Sequence, residues 1–252
     1  MESLISQIKV NVFPQILKGV IKGSITAIKS DNGSLLALSV NESQLHIYEG
    51  KSPSECKLSV SVKNNIKNPG GLIKLNEDYL VVDSVIKAVY KLNKEKQIME
   101  PMTLLKAGTN NTASAILNAP GCCVNDMDHY ENKIWFVCMA GYSSCVCTYD
   151  INSNQVKFKF FTKGSRPNGI LFDREKEHLV VIDSYKNILN TYNIDGKVVN
   201  SVKGSYEGGI IKDGLSKKNV AKGLALDINR NLWVLNNKLR SINKVSQKEG
   251  RI

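Results

Sequence analysis

The chain has 252 residues, of which 42% are hydrophobic, enough to bury a substantial core in one domain. No run of 18 apolar residues occurs, which excludes a long apolar membrane-spanning segment. The first residues carry Glu2 where a secretory signal would carry cations, so we expect a soluble, intracellular, cytoplasmic protein that does not contact a membrane. The formal net charge of +11 favours an anionic partner.

Along the chain, one predicted strand at residues 7–13 is followed by five similar units. The fourth unit shows the pattern best, because a turn at Pro167, Asn168 and Gly169 leads into three short apolar runs separated by turns. The units start near residues 23, 69, 120, 167 and 221. A three-stranded meander has two unpaired edges and an uncovered apolar face, so each unit needs neighbours of the same kind.

The spacing of 46 to 54 residues between unit starts is typical of β-propeller blades. Between the units, residues 57–62, 102–105, 156–161 and 198–202 are predicted fourth, outer strands. We therefore predict an all-β fold, a single β-propeller domain over residues 1–252, and favour five blades over six. The last unit lacks a fourth strand, so the strand within residues 1–22 is predicted to complete it and close the ring.

Six cysteines are present, and five of them fall within 26 residues. They are Cys56, Cys122, Cys123, Cys138, Cys145 and Cys147. The spacings of Cys122 with Cys123 and of Cys145 with Cys147 match no zinc-binding pattern. We interpret them as small buried thiols on strands, with a redox role as the alternative.

Two of the units carry a recognisable repeat. Two segments resemble the NHL repeat. The first is Gly223-Leu-Ala-Leu-Asp227 followed by Asn231-Leu-Trp-Val. The second is Gly169-Ile-Leu-Phe-Asp173 followed by an Asp183-Ser pair after the second apolar run. This resemblance covers most of residues 23–245 and implies a propeller. It says little about function, because propellers host both enzymes and binding modules.

In a propeller, the links between blades and the loops between the second and third strands share one face. Sorting the charges by this rule puts cations on that face and most acidic residues on the other. The predicted binding residues are Lys67, Lys87, Arg166, Asn168, Tyr185, Lys186, Lys222, Lys238 and Arg240. They indicate a non-enzymatic binding or scaffold module, without cofactor and monomeric, that recognises RNA or an acidic protein surface. Solvated lysines of a lysine-rich chain are the alternative interpretation.

A second resemblance, to the regucalcin and gluconolactonase propellers, implies a metal-dependent hydrolase or lyase as the alternative function. In those proteins a Glu, two Asn and an Asp hold a divalent cation, and Asn125 and Asn168 lie in similar motifs in this chain. The Glu is absent from residues 23–27, and the Asp expected before Gly223 is Lys222. Without these carboxylates, we expect weak metal binding and no metal-assisted catalysis.

Overall fold

A computed structural model describes nine segments of the chain. They are residues 24–41, 43–52, 55–105, 112–141, 143–163, 166–186, 188–203, 221–236 and 241–245. The predicted closing strand at residues 7–13 lies outside these segments. No helix within them is both long and apolar enough to cross a membrane.

Nineteen strands in the described segments follow the five predicted units. The first unit holds β1 (Ser24–Asp31), β2 (Ser34–Val40), β3 (Gln44–Gly50) and β4 (Lys57–Lys63). The second holds β5 (Pro69–Leu75), β6 (Asp78–Asp83), β7 (Ala88–Asn93) and β8 (Ile98–Leu104). The third holds β9 (Cys123–Tyr130), β10 (Lys133–Ala140), β11 (Ser143–Asp150) and β12 (Gln155–Phe161). The fourth holds β13 (Pro167–Asp173), β14 (His178–Asp183), β15 (Ile188–Asn193) and β16 (Val198–Lys203), and the fifth β17 (Ala221–Leu226), β18 (Leu232–Asn236) and β19 (Ser241–Val245).

Every unit is an antiparallel meander in which consecutive strands pair. The first two units join into one eight-stranded sheet through a single parallel bridge between Lys63 and Ile98 on their outermost strands. The predicted outer strands are present as β4, β8, β12 and β16. Only β8 differs notably from its prediction, because it begins at Ile98, four residues before the predicted run.

Within the described segments, the apolar core consists of five clusters, each shared by two neighbouring units. One cluster joins Leu38 and Ile47 of the first unit to Leu72 and Val81 of the second. Three others join the second to the third, the third to the fourth and the fourth to the fifth. The remaining cluster packs Trp233 and other residues of the fifth unit against the first unit. Each sheet therefore buries both of its faces, which meets the need for neighbours that the repeats predicted.

The first strands of the units contact one another in sequence. β1 touches β5, β5 touches β9, β9 touches β13, β13 touches β17, and β17 touches β1. They form the inner wall of an all-β propeller, with the outer strands at the rim. This arrangement confirms the predicted fold class.

One short helix was not predicted from the sequence. Helix α1 (Thr112–Leu117) lies in the link before the third unit and buries Ala113, Ile116 and Leu117. These three residues follow helical spacing, and alanine is the best helix former. The helix packs on β10 and β12, so it covers one end of the third sheet.

Candidate functional site

Each inner strand has a β-bulge near its start. At this point the first and second strands change register and one residue is left without a Cα partner. The five bulged residues are Thr26, Gly70, Asn125, Asn168 and Lys222. We call these five residues the axial ring, since a bulge re-aims its side chain and the inner strands surround the propeller axis.

Asn125 and Asn168, two neighbouring members of the axial ring, are hydrogen-bonded to each other. The Asn125 Nδ2 donates to the Pro167 carbonyl at 2.8 Å and to the Asn168 Oδ1 at 3.1 Å. The Asn168 Nδ2 donates to the Ser184 Oγ at 2.7 Å, which leaves one N–H of that amide for a ligand. The buried Thr26 Oγ1 has no hydrogen-bond partner among the described residues. The ring therefore offers hydrogen-bonding groups on a fixed frame.

The residue after each bulge is small in four of the units and acidic in one. Ala27, Gly71, Gly169 and Gly223 occupy this position in their units, whereas the third unit has Asp126. A Cβ on Gly71 would lie 2.8 Å from the backbone nitrogen of Met127, so the inner strands approach too closely for a larger residue. Asp126 is thus the one carboxylate at this level of the ring.

Asp126 is fully buried and paired with a fully buried lysine from the opposite side of the ring. The Lys29 Nζ lies 2.7 Å from the Asp126 Oδ2 and also donates to the Ile170 carbonyl. The Ile170 N–H donates to the same Asp126 oxygen at 3.0 Å. Such a pair must be held by good geometry and extra hydrogen bonds to offset the cost of removing both charges from water.

A second cation lies beside this pair. Burial lowers the pKa of the Lys222 ammonium, and the Asp126 carboxylate opposes that shift. Burial raises the pKa of Asp126 to about 6, against the opposing effect of Lys29. Two ammonium groups thus face one carboxylate, so an additional anion near Lys222 is electrostatically favoured.

This arrangement does not fit a divalent metal ion. A hard cation needs several anionic oxygens, but the axial ring contributes a hydroxyl, two amides and an ammonium. The nearby carboxylate, Asp126, already accepts a hydrogen bond from Lys29. Asn125 and Asn168 do come together, as the resemblance to the regucalcin-type propellers implied. The other two ligand positions are Thr26 and Lys222, which cannot replace the missing carboxylates.

Five of the predicted binding residues lie in links before an inner strand or in loops between second and third strands. Backbone hydrogen bonds tie two of the links to the loop between the second and third strands: Ser84 N–H donates to the Asn68 carbonyl at 2.8 Å, and Ser184 N–H to the Arg166 carbonyl at 3.2 Å. We call the surface formed by the links and these loops the link face. Lys67, Arg166, Tyr185 and Lys186 are exposed on it.

Two of the predicted residues are in contact with other groups of the protein. The Lys87 Nζ donates to the Leu117 carbonyl at 2.7 Å, at the end of α1. The Arg166 guanidinium lies 5.5 Å from the centroid of the Tyr185 ring, a cation–π contact.

Lys222 lies on an inner strand in the axial ring and is partly buried, whereas the sequence pattern predicted a cation in a loop. Lys238 and Arg240 fall outside the described residues.

On the face opposite the link face, several acidic residues form hydrogen bonds or ion pairs within the protein. Asp128 accepts the Phe172 N–H at 2.8 Å, which joins two neighbouring inner strands. Asp173 accepts a hydrogen bond from the Arg230 guanidinium at 2.6 Å. These carboxylates are buried and paired, so they contribute less negative field to solvent than a count of charges suggests.

The fold and the axial ring define the class as an all-β propeller, and solved structures show the same fold. A luciferin-regenerating enzyme is 17% identical, with a TM-score of 0.55 over 88% of this chain and 71% of that one. The calcium-binding protein regucalcin of Agrobacterium tumefaciens is 15% identical, with a TM-score of 0.53 over 89% of this chain and 71% of that one. The glutaminyl cyclase of Myxococcus xanthus is 9% identical, with a TM-score of 0.63 over 96% of this chain and 98% of that one.

At these identities the similarity establishes the fold alone. No family model matches the chain, and no curated protein sequence matches it. The NHL-type repeat therefore stays a prediction.

Proposed function

We propose that the chain is a non-enzymatic binding propeller that holds an anionic segment of a partner against the link face. The observation that carries this proposal is the composition of the axial ring, which has an ammonium at Lys222 and no carboxylate. A carboxylate group of the partner would accept from the Lys222 Nζ, the Thr26 hydroxyl and the remaining Asn168 N–H. Exposed cations at Lys67, Arg166 and Lys186 would steer the segment to the mouth of this ring.

An acidic protein segment suits this face better than RNA. Beside the cations, the link face exposes two aliphatic side chains, Val85 at 52% and Ile86 at 47%, which would pack on apolar side chains of a protein partner. Single-stranded RNA is bound chiefly by aromatic platforms on which bases stack. Tyr185 is the exposed aromatic residue of the described link face, and Arg166 already lies over its ring.

The proposal includes the architecture and the way in which the protein works. We propose five blades, which is supported by the five core clusters and by the contact of the fifth unit with the first. We propose a cytoplasmic monomer that binds its partner without a cofactor and without a metal ion at the axial ring, in keeping with six free thiols and a ring that does not fit a divalent cation. The alternative, a metal-dependent hydrolase or lyase, requires carboxylates that this ring lacks.

Charge reversal on the link face tests the proposal. The triple variant Lys67→Glu, Arg166→Glu and Lys186→Glu changes exposed residues only and leaves the buried pair at the axis intact. We expect it to bind a fluorescent polyglutamate peptide roughly 10- to 100-fold more weakly than the parent at low salt, because rim charges govern steering and register. Fluorescence anisotropy at several salt concentrations measures this, and the parent affinity should fall as salt rises.

A matched control reverses three exposed lysines elsewhere, Lys94, Lys157 and Lys176, with the same change in net charge. Equal weakening by both triple variants would mean that only the overall charge matters, and would contradict a site on the link face. A parent protein that binds single-stranded RNA more tightly than polyglutamate at equal salt would overturn the choice of an acidic protein segment.

A further inference from the structure

Three buried thiols meet within the third unit. Cys138 lies on β10 directly opposite Cys145 on β11, and Cys147 is two residues further along β11 on the same side of the sheet. The Sγ atoms of Cys138 and Cys145 are 3.1 Å apart, those of Cys145 and Cys147 are 3.7 Å apart, and those of Cys138 and Cys147 are 4.0 Å apart. All three residues have no exposed surface.

A fourth thiol lies near this group. Cys122, just before β9, is also buried and belongs to the same core cluster, but only the sulfur atoms of Cys138, Cys145 and Cys147 all lie within 4.8 Å of one another. Four cysteines therefore come from three neighbouring segments of the third unit, the start of β9 and the strands β10 and β11.

The other units do not place sulfur at these positions. Asp83 and Ala88 form the corresponding pair in the second unit, and Asp183 and Ile188 in the fourth. In both units the aspartate accepts backbone N–H groups of the following turn. The third unit has replaced both the turn-capping carboxylate and its apolar partner with thiols, which packing alone does not require.

We propose that Cys138, Cys145 and Cys147 bind a thiophilic divalent ion of the zinc type, and that Cys122 moves toward the ion to complete a tetrahedral four-thiolate site. A zinc–sulfur bond of about 2.3 Å gives sulfur–sulfur edges of about 3.8 Å in a tetrahedron, and the three measured separations lie on either side of this value. Each thiol that becomes a ligand releases one proton to solvent. The site is structural, because four protein ligands leave no open coordination position.

The ion would cross-link the start of β9 with β10 and β11. These segments hold the wall of the third unit against α1, within the core cluster that the second and third units share. The site therefore fastens the blade that contributes Asn125 and Asp126 to the axis. Metal removal is expected to loosen this blade first, without a change in charge on the link face.

Cobalt substitution of the unaltered protein tests the site without any mutation. The reduced protein, freed of metal by a chelator, should take up one Co²⁺ per chain and show the intense visible absorption of tetrahedral cobalt–thiolate coordination. One equivalent of Zn²⁺ should abolish that absorption and raise the melting temperature. Absence of a cobalt–thiolate band at saturating Co²⁺ would overturn the proposal.

Alanine variants identify the ligands. Cys145→Ala and Cys147→Ala should each weaken Co²⁺ binding by at least roughly 100-fold, whereas Cys56→Ala should leave it within about twofold. Cys56 is the matched control, because it is equally buried but belongs to a different core cluster. Unchanged binding in Cys145→Ala or Cys147→Ala would contradict the assignment. Should a variant fail to fold, the spectrum of the unaltered protein still decides the outcome.

Discussion

Replacing Lys29 with methionine is expected to lower the free energy of unfolding by about 3–5 kcal/mol at pH 7.5, a large fraction of the stability of a typical domain. Asp126 has no solvent-exposed surface, so loss of the Lys29 ammonium at 2.7 Å leaves its charge buried without its hydrogen-bonded cation. Methionine keeps most of the volume of the lysine stem, so the loss reports on the charge and not on a cavity. Urea unfolding followed by fluorescence measures it.

The same variant should be less destabilised in acid. Burial raises the pKa of Asp126 to about 6 in the folded protein, against about 3.9 in an unfolded chain. A raised pKa means that the stability associated with this carboxyl is fully present below about pH 4 and is lost as the pH rises through 6. In Lys29→Met the pKa rises further, so protonation at pH 4.5 removes the buried charge and most of the penalty.

Two further variants test whether the destabilisation of Lys29→Met is due to the buried charge of Asp126. Lys29→Met combined with Asp126→Leu should recover most of the lost stability, since a buried pair replaced by apolar side chains is often neutral. Lys91→Met is the matched control, because Lys91 and Asp78 are also 2.7 Å apart but exposed, and it should cost at most about 1 kcal/mol. If Lys29→Met lowered the free energy of unfolding equally at pH 7.5 and pH 4.5, the buried charge of Asp126 would not be the cause of the destabilisation.

Adding a methyl group at Gly71 is the second change with a large expected effect. A Cβ at this position would lie 2.8 Å from both the Asp126 Oδ1 and the backbone nitrogen of Met127 on the neighbouring inner strand. Backbone cannot move aside as a side chain can, so the inner strands must separate. We expect Gly71→Ala to cost about 2–3 kcal/mol, at the upper end of the range for overpacking.

Gly169→Ala is the comparison, because it occupies the equivalent position in the fourth unit. Its nearest neighbour would be the Ile182 Cγ2 at 3.0 Å, a side-chain atom that can adjust. We expect Gly169→Ala to lower the free energy of unfolding by about half as much as Gly71→Ala, measured by the same urea titration. Equal stability of Gly71→Ala and the parent would show that the inner strands are not in close contact at this level of the ring.

Much of the fold could be read from the sequence, because turn residues and apolar runs recur with a fixed spacing. The units beginning with Pro69 and Pro167 show this most clearly, and their strands lie where the runs predicted. Helix α1 was missed, since six residues in a link carry too short a helical pattern to stand out.

The candidate site could be predicted only in part. Asn125, Asn168 and Lys222 occupy the same position in their repeat units. An alignment of the units was therefore enough to predict that they belong to one site. The pair of Lys29 and Asp126 could not be found that way, because it joins residues 97 positions apart through a long side chain that crosses the ring. A usable signal was present, however: Asp126 stands where the other units have glycine or alanine.

The cysteine cluster could not be predicted from the sequence for a different reason. Metal-binding cysteines are usually recognised by short local spacings, whereas these thiols meet through the register of β10 with β11. Register between strands depends on the length of the connecting turn, which the pattern of residues gives only to within one or two positions. The expectation of buried thiols is confirmed for five of the six cysteines, whereas Cys123 is only partly buried. The expected strand position is wrong for Cys56 and Cys122, which lie just before β4 and β9.

We propose that the mouth of the axial ring receives an anion and not a metal ion. Thermal unfolding in low salt, with polyglutamate or with Ca²⁺ added to the same protein, distinguishes the two ligands, because a ligand that binds the folded state raises the melting temperature. We predict a rise with polyglutamate that is lost in the Lys67, Arg166 and Lys186 charge-reversal variant, and no change with Ca²⁺. A rise with Ca²⁺ that disappears in Asn125→Ala and Asn168→Ala, without any response to polyglutamate, would contradict it.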